Sequence, residues 1–234
     1  MFILCSESYF ISHIKARLKI VYGCIFGCNT GAHLASMVMW ERARRRLEKL
    51  QQPIPEELDI RIPHGFLGLA GVYNIGEHFK YEVGRGVGAL SCMRPANGGE
   101  ENFDDMSPSL LFESLLVHGG ISFVKEFAEL SSEVEVKGVD LVPPCLFLAS
   151  HQDTVVPPTS SYAFHSMLQT LCCESHVILH DSLNHEDFVL WHKGWGTLKP
   201  HIGPYVEDIL NFVTNGISEV KPAAPEPASA TLSR

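Results

Sequence analysis

Gly27-Cys28-Asn29-Thr30-Gly31 fits the G-x-S-x-G nucleophile elbow, except that asparagine holds the serine position. Such an elbow is a sharp turn with a strained central residue, and small flanking residues let the neighbouring backbone pack close. Gly27 and Gly31 meet that need. Asparagine tolerates left-handed backbone better than most residues, so the turn survives the exchange. Its delocalised amide nitrogen cannot attack an ester as an activated hydroxyl does. Cys28 and Thr30 flank the centre and point away, so neither replaces the hydroxyl, although the backbone N–H of Thr30 would supply one oxyanion donor.

Farther along, Asp153 in the run Ser150 to Pro157 and His185 in Asn184-His185-Glu186-Asp187 supply an acid and an imidazole. An aspartate ahead of Pro157 also suits a turn or a helix cap, and a lone histidine is ordinarily structural. The chain order elbow, acid, histidine sets this trio apart. In that order a carboxylate orients an imidazole, which acts as general base and then general acid. Both roles presuppose a hydroxyl at position 29.

Those positions need strand ends beneath them. The apolar run Ile20 to Cys28 suits a strand buried on both faces of a parallel sheet. Asn29 to Leu50 has helical spacing, with Leu34, Val38 and apolar positions from Trp40 to Leu47 on one side. Glu41, Arg42, Arg44, Arg45, Arg46, Glu48 and Lys49 form a solvated face, so Arg44 to Arg46 reads as surface and no nucleic-acid site is expected. Gly65 to Tyr73 predicts a second strand, and the glycine-rich, charged stretch Asn74 to Asp105 predicts a loop or cap. Ser107-Pro108 starts a helix running to Val117, and a second helix is expected over Ile121 to Leu130.

Pro144 to Ser150 and Ser175 to Leu179 predict two more strands, Pro157 to Cys172 a helix between them, and Pro204 to Val213 a closing amphipathic helix. This alternation predicts an α/β fold with a mainly parallel sheet and flanking helices. Residues 1–217 are expected to form one domain and the Pro/Ala-rich residues 218–234 a disordered tail.

The 234 residues are long enough for one sizeable core, and a formal net charge of -9 disfavours nonspecific contact with nucleic acid or an anionic membrane. Seven cysteines form no CxxC pair and sit mostly in apolar runs, which predicts reduced, buried thiols. Neither a metal nor a cofactor is expected. No apolar run approaches the ~18 residues of a membrane-spanning helix, and the N-terminus makes a poor signal peptide. A cytoplasmic protein is the expectation.

Gly31-Ala-His-Leu-Ala35 resembles the GAHLA of isoprenylcysteine methylesterases and related carboxylesterases of the α/β-hydrolase superfamily. Gly68 to Ile75, His78-Phe79, Arg85-Gly86, Leu90-Ser91 and Ser107-Pro108 are similar to that family's stretch after the next strand. Asp153 to Pro157 and His185-Glu186-Asp187 resemble its acid and histidine segments. The resemblance covers roughly residues 20–213. It implies hydrolysis, without a cofactor, of a methyl ester on a prenylated cysteine or of a related small carboxylic ester. It also implies a partial α/β-hydrolase fold, the C-terminal half of the usual eight strands.

Two departures follow. The serine is absent, and no HGG-type oxyanion segment precedes Asn29; His118-Gly119-Gly120 comes after the elbow and reads as a helix end and loop. Activity is therefore expected to be impaired or absent. The alternatives are a non-catalytic lipid- or partner-binding module and a fragment of a working esterase. A partner chain could cover the sheet edge left exposed at the first strand, which Phe2 to Cys5 or a helix over Tyr9 to Leu18 would cover incompletely. The family's membrane association, where present, depends on segments absent here.

Overall fold

The computed structural model describes residues 24–51, 63–115, 142–171, 173–190 and 203–216. The segments Phe2 to Cys5 and Tyr9 to Leu18, the His118-Gly119-Gly120 run, the helix expected over Ile121 to Leu130 and the tail 218–234 lie outside the described residues.

Four strands, β1 (Ile25–Cys28), β2 (Phe66–Leu69), β3 (Cys145–Ser150) and β4 (Ser175–His180), form a parallel sheet in the order β1-β2-β3-β4. The register pairs Cys28 with Leu69, Leu69 with Leu148, and Ser150 with His180. Beyond the strand ends the ladder runs one step further. The Asn29 N–H donates to the Leu69 carbonyl (2.9 Å), that of Ala70 to Leu148 (2.9 Å), and that of His151 to His180 (3.0 Å).

The central strands β2 and β3 are buried at every position, as near-continuous apolar runs require. By contrast β1 is only half-buried, against the expectation of a strand covered on both faces; among the described residues it is paired on one side only.

Alternation along β2 and β3 sends Phe66, Cys145 and Phe147 to one face and Leu67, Leu69, Leu146 and Leu148 to the other. The first face is covered by α1 (Thr30–Gln51), by the helix at 108–115, here α4, and by α5 (Thr159–Thr170). The second is covered by Phe188, from the short helix α6 (Asp187–Leu190), and by Tyr205, Ile209 and Phe212 of α7 (Gly203–Asn215). This is a helix-sheet-helix sandwich, and all four strands point their carboxyl ends to the same side.

Three further sequence expectations need correction. The buried stripe of α1 is Ala32, Ala35, Ser36, Met39, Arg42 and Ala43, while Leu34 and Val38 are exposed. Small side chains let the helix lie close to the sheet, so the alanines rather than the larger residues mark the inner face. The second strand ends at Leu69 because Ala70 turns left-handed, with φ 44°.

Lastly, residues 74–105 are not one loop. They hold α2 (Ile75–Gly84), α3 (Met93–Asn97) and 3-10 turns at Gly88–Leu90 and Glu100–Asn102. Asn74 caps α2 by accepting from the Glu77 N–H (2.9 Å), and Ile75, His78 and Phe79 bury its inner face.

Candidate active site

The turn from β1 into α1 rests on Asn29, whose φ of 49° is left-handed. Its carbonyl accepts from Ala32 (3.0 Å) and His33 (3.2 Å), so the residue that ends the strand also starts the helix. Gly27 is required by close approach: a Cβ there would sit 2.4 Å from both Cα and N of Ala32. The turn aims the Asn29 side chain over the ends of the sheet.

Asp153 lies in the loop after β3, buried to 3% exposure. Its Oδ1 accepts from the backbone N–H of Val155 (2.8 Å) and Val156 (2.9 Å), leaving Oδ2 to meet His185 Nδ1 at 2.8 Å. His185 follows β4, and its Nε2 stands 2.9 Å from Asn29 Nδ2.

The proton positions follow from the carboxylate outward. An ionised carboxylate only accepts, so Nδ1 carries the ring proton. Nε2 is then a lone pair, and Asn29 must present its NH2 to it. Thr30 Oγ1 donates to the other end of that amide, Oδ1, at 3.5 Å. The structure thus brings Asn29, His185 and Asp153 into one hydrogen-bonded chain. The Thr30 N–H opens α1, among the first-turn amides that have no acceptor within the helix.

No family model matches this sequence, and no curated protein matches it. Solved structures do. The chain is similar to an acetyl ester-xyloside bifunctional hydrolase from Caldicellulosiruptor lactoaceticus, with TM-score 0.50 and 15% identity over 84% of this chain and 57% of that one. It is also similar to carboxyl esterase 2 from the mycorrhizal fungus Tuber melanosporum, with TM-score 0.51 and 13% identity over 89% of this chain and 59% of that one. The fold is part of an α/β-hydrolase fold. This chain spans less than three fifths of the length of either α/β-hydrolase neighbour.

Around the chain of three, the fold places Cys28 and two groups of α2 to which sequence reasoning gave no role, Tyr81 and His78. Cys28 is half-buried beside the site, and removal from water, aided by the Asp153 charge, pushes its thiol up to about 12. On α2, Tyr81 donates to the Thr154 carbonyl (3.1 Å), so this helix braces the acid loop. His78, on the same helix and 5% exposed, points Nε2 toward Glu82 Oε1 at 3.7 Å. Burial lowers its pKa, against the opposing pull of Glu82. The i, i+3, i+4 pattern of Ile75, His78 and Phe79 was the signal that could have found it.

A groove of about 620 Å³ lies between α2 and α3, lined among others by Phe79, Lys80, Val83, Arg94 and Phe103; none of Asn29, Asp153 and His185 lines it. Among the described residues no group of three or more His, Cys, Asp or Glu side chains is placed to hold a metal ion, and no helix is long and apolar enough to cross a membrane.

Proposed function

We propose that this is a carboxylic-ester hydrolase site of the isoprenylcysteine methylesterase type, with its acid and base assembled but no nucleophile, which binds a small ester without turning it over. The observation that carries this reading is the 2.9 Å contact from Asn29 Nδ2 to His185 Nε2. A serine there would offer its hydroxyl to the same lone pair, and His185 would take the proton while Asp153 steadied the imidazolium. Asparagine makes the hydrogen bond but cannot attack an ester, because its nitrogen pair is delocalised into the carbonyl. The Thr30 N–H would face the ester oxygen as one oxyanion donor.

The test is ester hydrolysis by the chain and by its Asn29→Ser variant, on p-nitrophenyl acetate and on a prenylcysteine methyl ester. The native chain is expected to match the buffer rate. The variant is expected to turn over ester and to take a fluorophosphonate label on residue 29. Losing a triad nucleophile costs ~10⁶ in kcat, and a missing oxyanion donor alone costs ~10²–10³, so the expected gain is about 10³–10⁴-fold. Hydrolysis by the native chain with a label at residue 29 would overturn the reading; so would a folded variant that neither labels nor hydrolyses.

A second reading is favoured by one observation, the 57% and 59% of the neighbours' lengths that are matched. On that reading the chain is a portion of a longer esterase, and the missing oxyanion donor comes from outside it. Sequencing the transcript decides between the two.

A further inference from the structure

The hydrogen bond that stops ester chemistry at this site has a second side. The group touching His185 Nε2 is the leaving nitrogen of a carboxamide. His185 is oriented by a carboxylate that is itself fixed by two backbone amides. The amide oxygen Oδ1 faces the Thr30 hydroxyl at 3.5 Å. Base, leaving group and a donor on the oxygen that gains charge are therefore already arranged around Asn29 Cγ. Both Asn29 and His185 are only partly buried, so water reaches them.

We propose that Asn29 is a self-modification site: the Asp153–His185 pair hydrolyses its side-chain amide and converts it to aspartate. The inference rests on the reading of Asp153 and His185 as a working acid–base pair.

Water entering beside the two side chains takes over the Nε2 lone pair from the amide N–H, adds to Cγ and gives a proton to His185 Nε2, forming an imidazolium held by Asp153. The negative charge that forms on Oδ1 faces the Thr30 hydroxyl. The imidazolium returns the proton to Nδ2, the Cγ–N bond breaks, and ammonia leaves. Ammonia takes the proton of the new carboxylic acid, so amide and water become carboxylate and ammonium. One imidazole performs both transfers, as it would in ester hydrolysis. The product places a carboxylate nucleophile at the elbow, a chemistry different from that of serine.

Backbone-driven deamidation, in which the Thr30 nitrogen attacks Cγ through a succinimide, gives mainly isoaspartate and has no use for His185. The two routes are therefore separable by product. The full chain is incubated at neutral pH in ¹⁸O-water beside His185→Gln and Asp153→Asn variants checked for native circular dichroism, and residue 29 is read by peptide mass spectrometry. The expected result is a one-unit mass gain before isotope, ¹⁸O in the side chain, ordinary aspartate only, and conversion slowed about 100-fold or more in either variant.

An intact amide in the native chain, isoaspartate at residue 29, or conversion at the native rate in a folded variant overturns the proposal. The isoaspartate readout needs no variant. An Asn29→Ser chain that hydrolyses esters while the native Asn29 keeps its amide would sink this inference alone and leave the ester-site reading standing.

Discussion

Replacing Gly27 by alanine tests whether the turn that aims Asn29 is as tightly built as its geometry indicates. The added Cβ would lie 2.4 Å from Cα and N of Ala32 and 2.6 Å from the carbonyl carbon of Gly31. Carbon atoms in contact normally keep ~3.5–4.0 Å, so the overlap exceeds about 1 Å. All three neighbours are backbone, and no flexible side-chain end can swing aside. Relief requires the first turn of α1 to move off β1, and Asn29 would move with it.

Overpacking of this kind costs about 1–3 kcal/mol, and the backbone neighbours put Gly27→Ala at the upper end, about 3 kcal/mol. Urea unfolding followed by circular dichroism measures it. Gly84→Ala is the control, since no described residue lies within 4 Å of its added Cβ at the end of α2; its expected change is ~0.5–1 kcal/mol of stabilisation. A Gly27→Ala protein with the wild-type midpoint, and His185 ring nitrogen shifts unchanged by NMR, would refute the close-approach argument for the elbow.

Asp153→Asn is expected to reverse the His185 tautomer. The new amide must keep its oxygen on the Val155 and Val156 amides and so turns its NH2 toward Nδ1; retention of the Nδ1 proton in ¹⁵N spectra would contradict this. Tyr73→Phe removes a fully buried hydroxyl that has no hydrogen-bond partner among the described residues and should stabilise the fold by about 1 kcal/mol in the same unfolding assay. A loss of stability would mean that the hydroxyl has a partner. Cys28, raised to about 12 chiefly by burial, stays protonated through mildly alkaline pH, so iodoacetamide should label exposed Cys92 first and Cys28 only after unfolding. Mass spectrometry of the labelled peptides reads the order.

The parts of the fold that sequence revealed are those where one local pattern fixes the outcome. The runs FLGL and CLFLAS are apolar at every position and became the two fully buried strands. The span 74–105 was misread because glycines and charges dominate its composition, although Asn74, Glu77 and the buried trio Ile75, His78 and Phe79 encode a capped helix.

Chain order singled out Asn29, Asp153 and His185, and the structure brings these three side chains into one hydrogen-bonded chain. Chain order could not show that the amide lies against the imidazole, because that contact joins residues 156 positions apart and depends on how the loops after β1 and β4 turn. Nor could it find the Tyr81 contact to Thr154, which exists only because α2 folds back over the acid loop.

The lateral bonds just past the strand ends carry a consequence for descent. Asn29 is held by its own main chain, through the N–H given to Leu69 and the carbonyl shared by Ala32 and His33, and none of these bonds involves its side chain. Asparagine codons lie a single base away from two of the six serine codons. One mutational step can therefore exchange asparagine and serine at the elbow, in either direction, with the main-chain bonds that hold the turn left as they are.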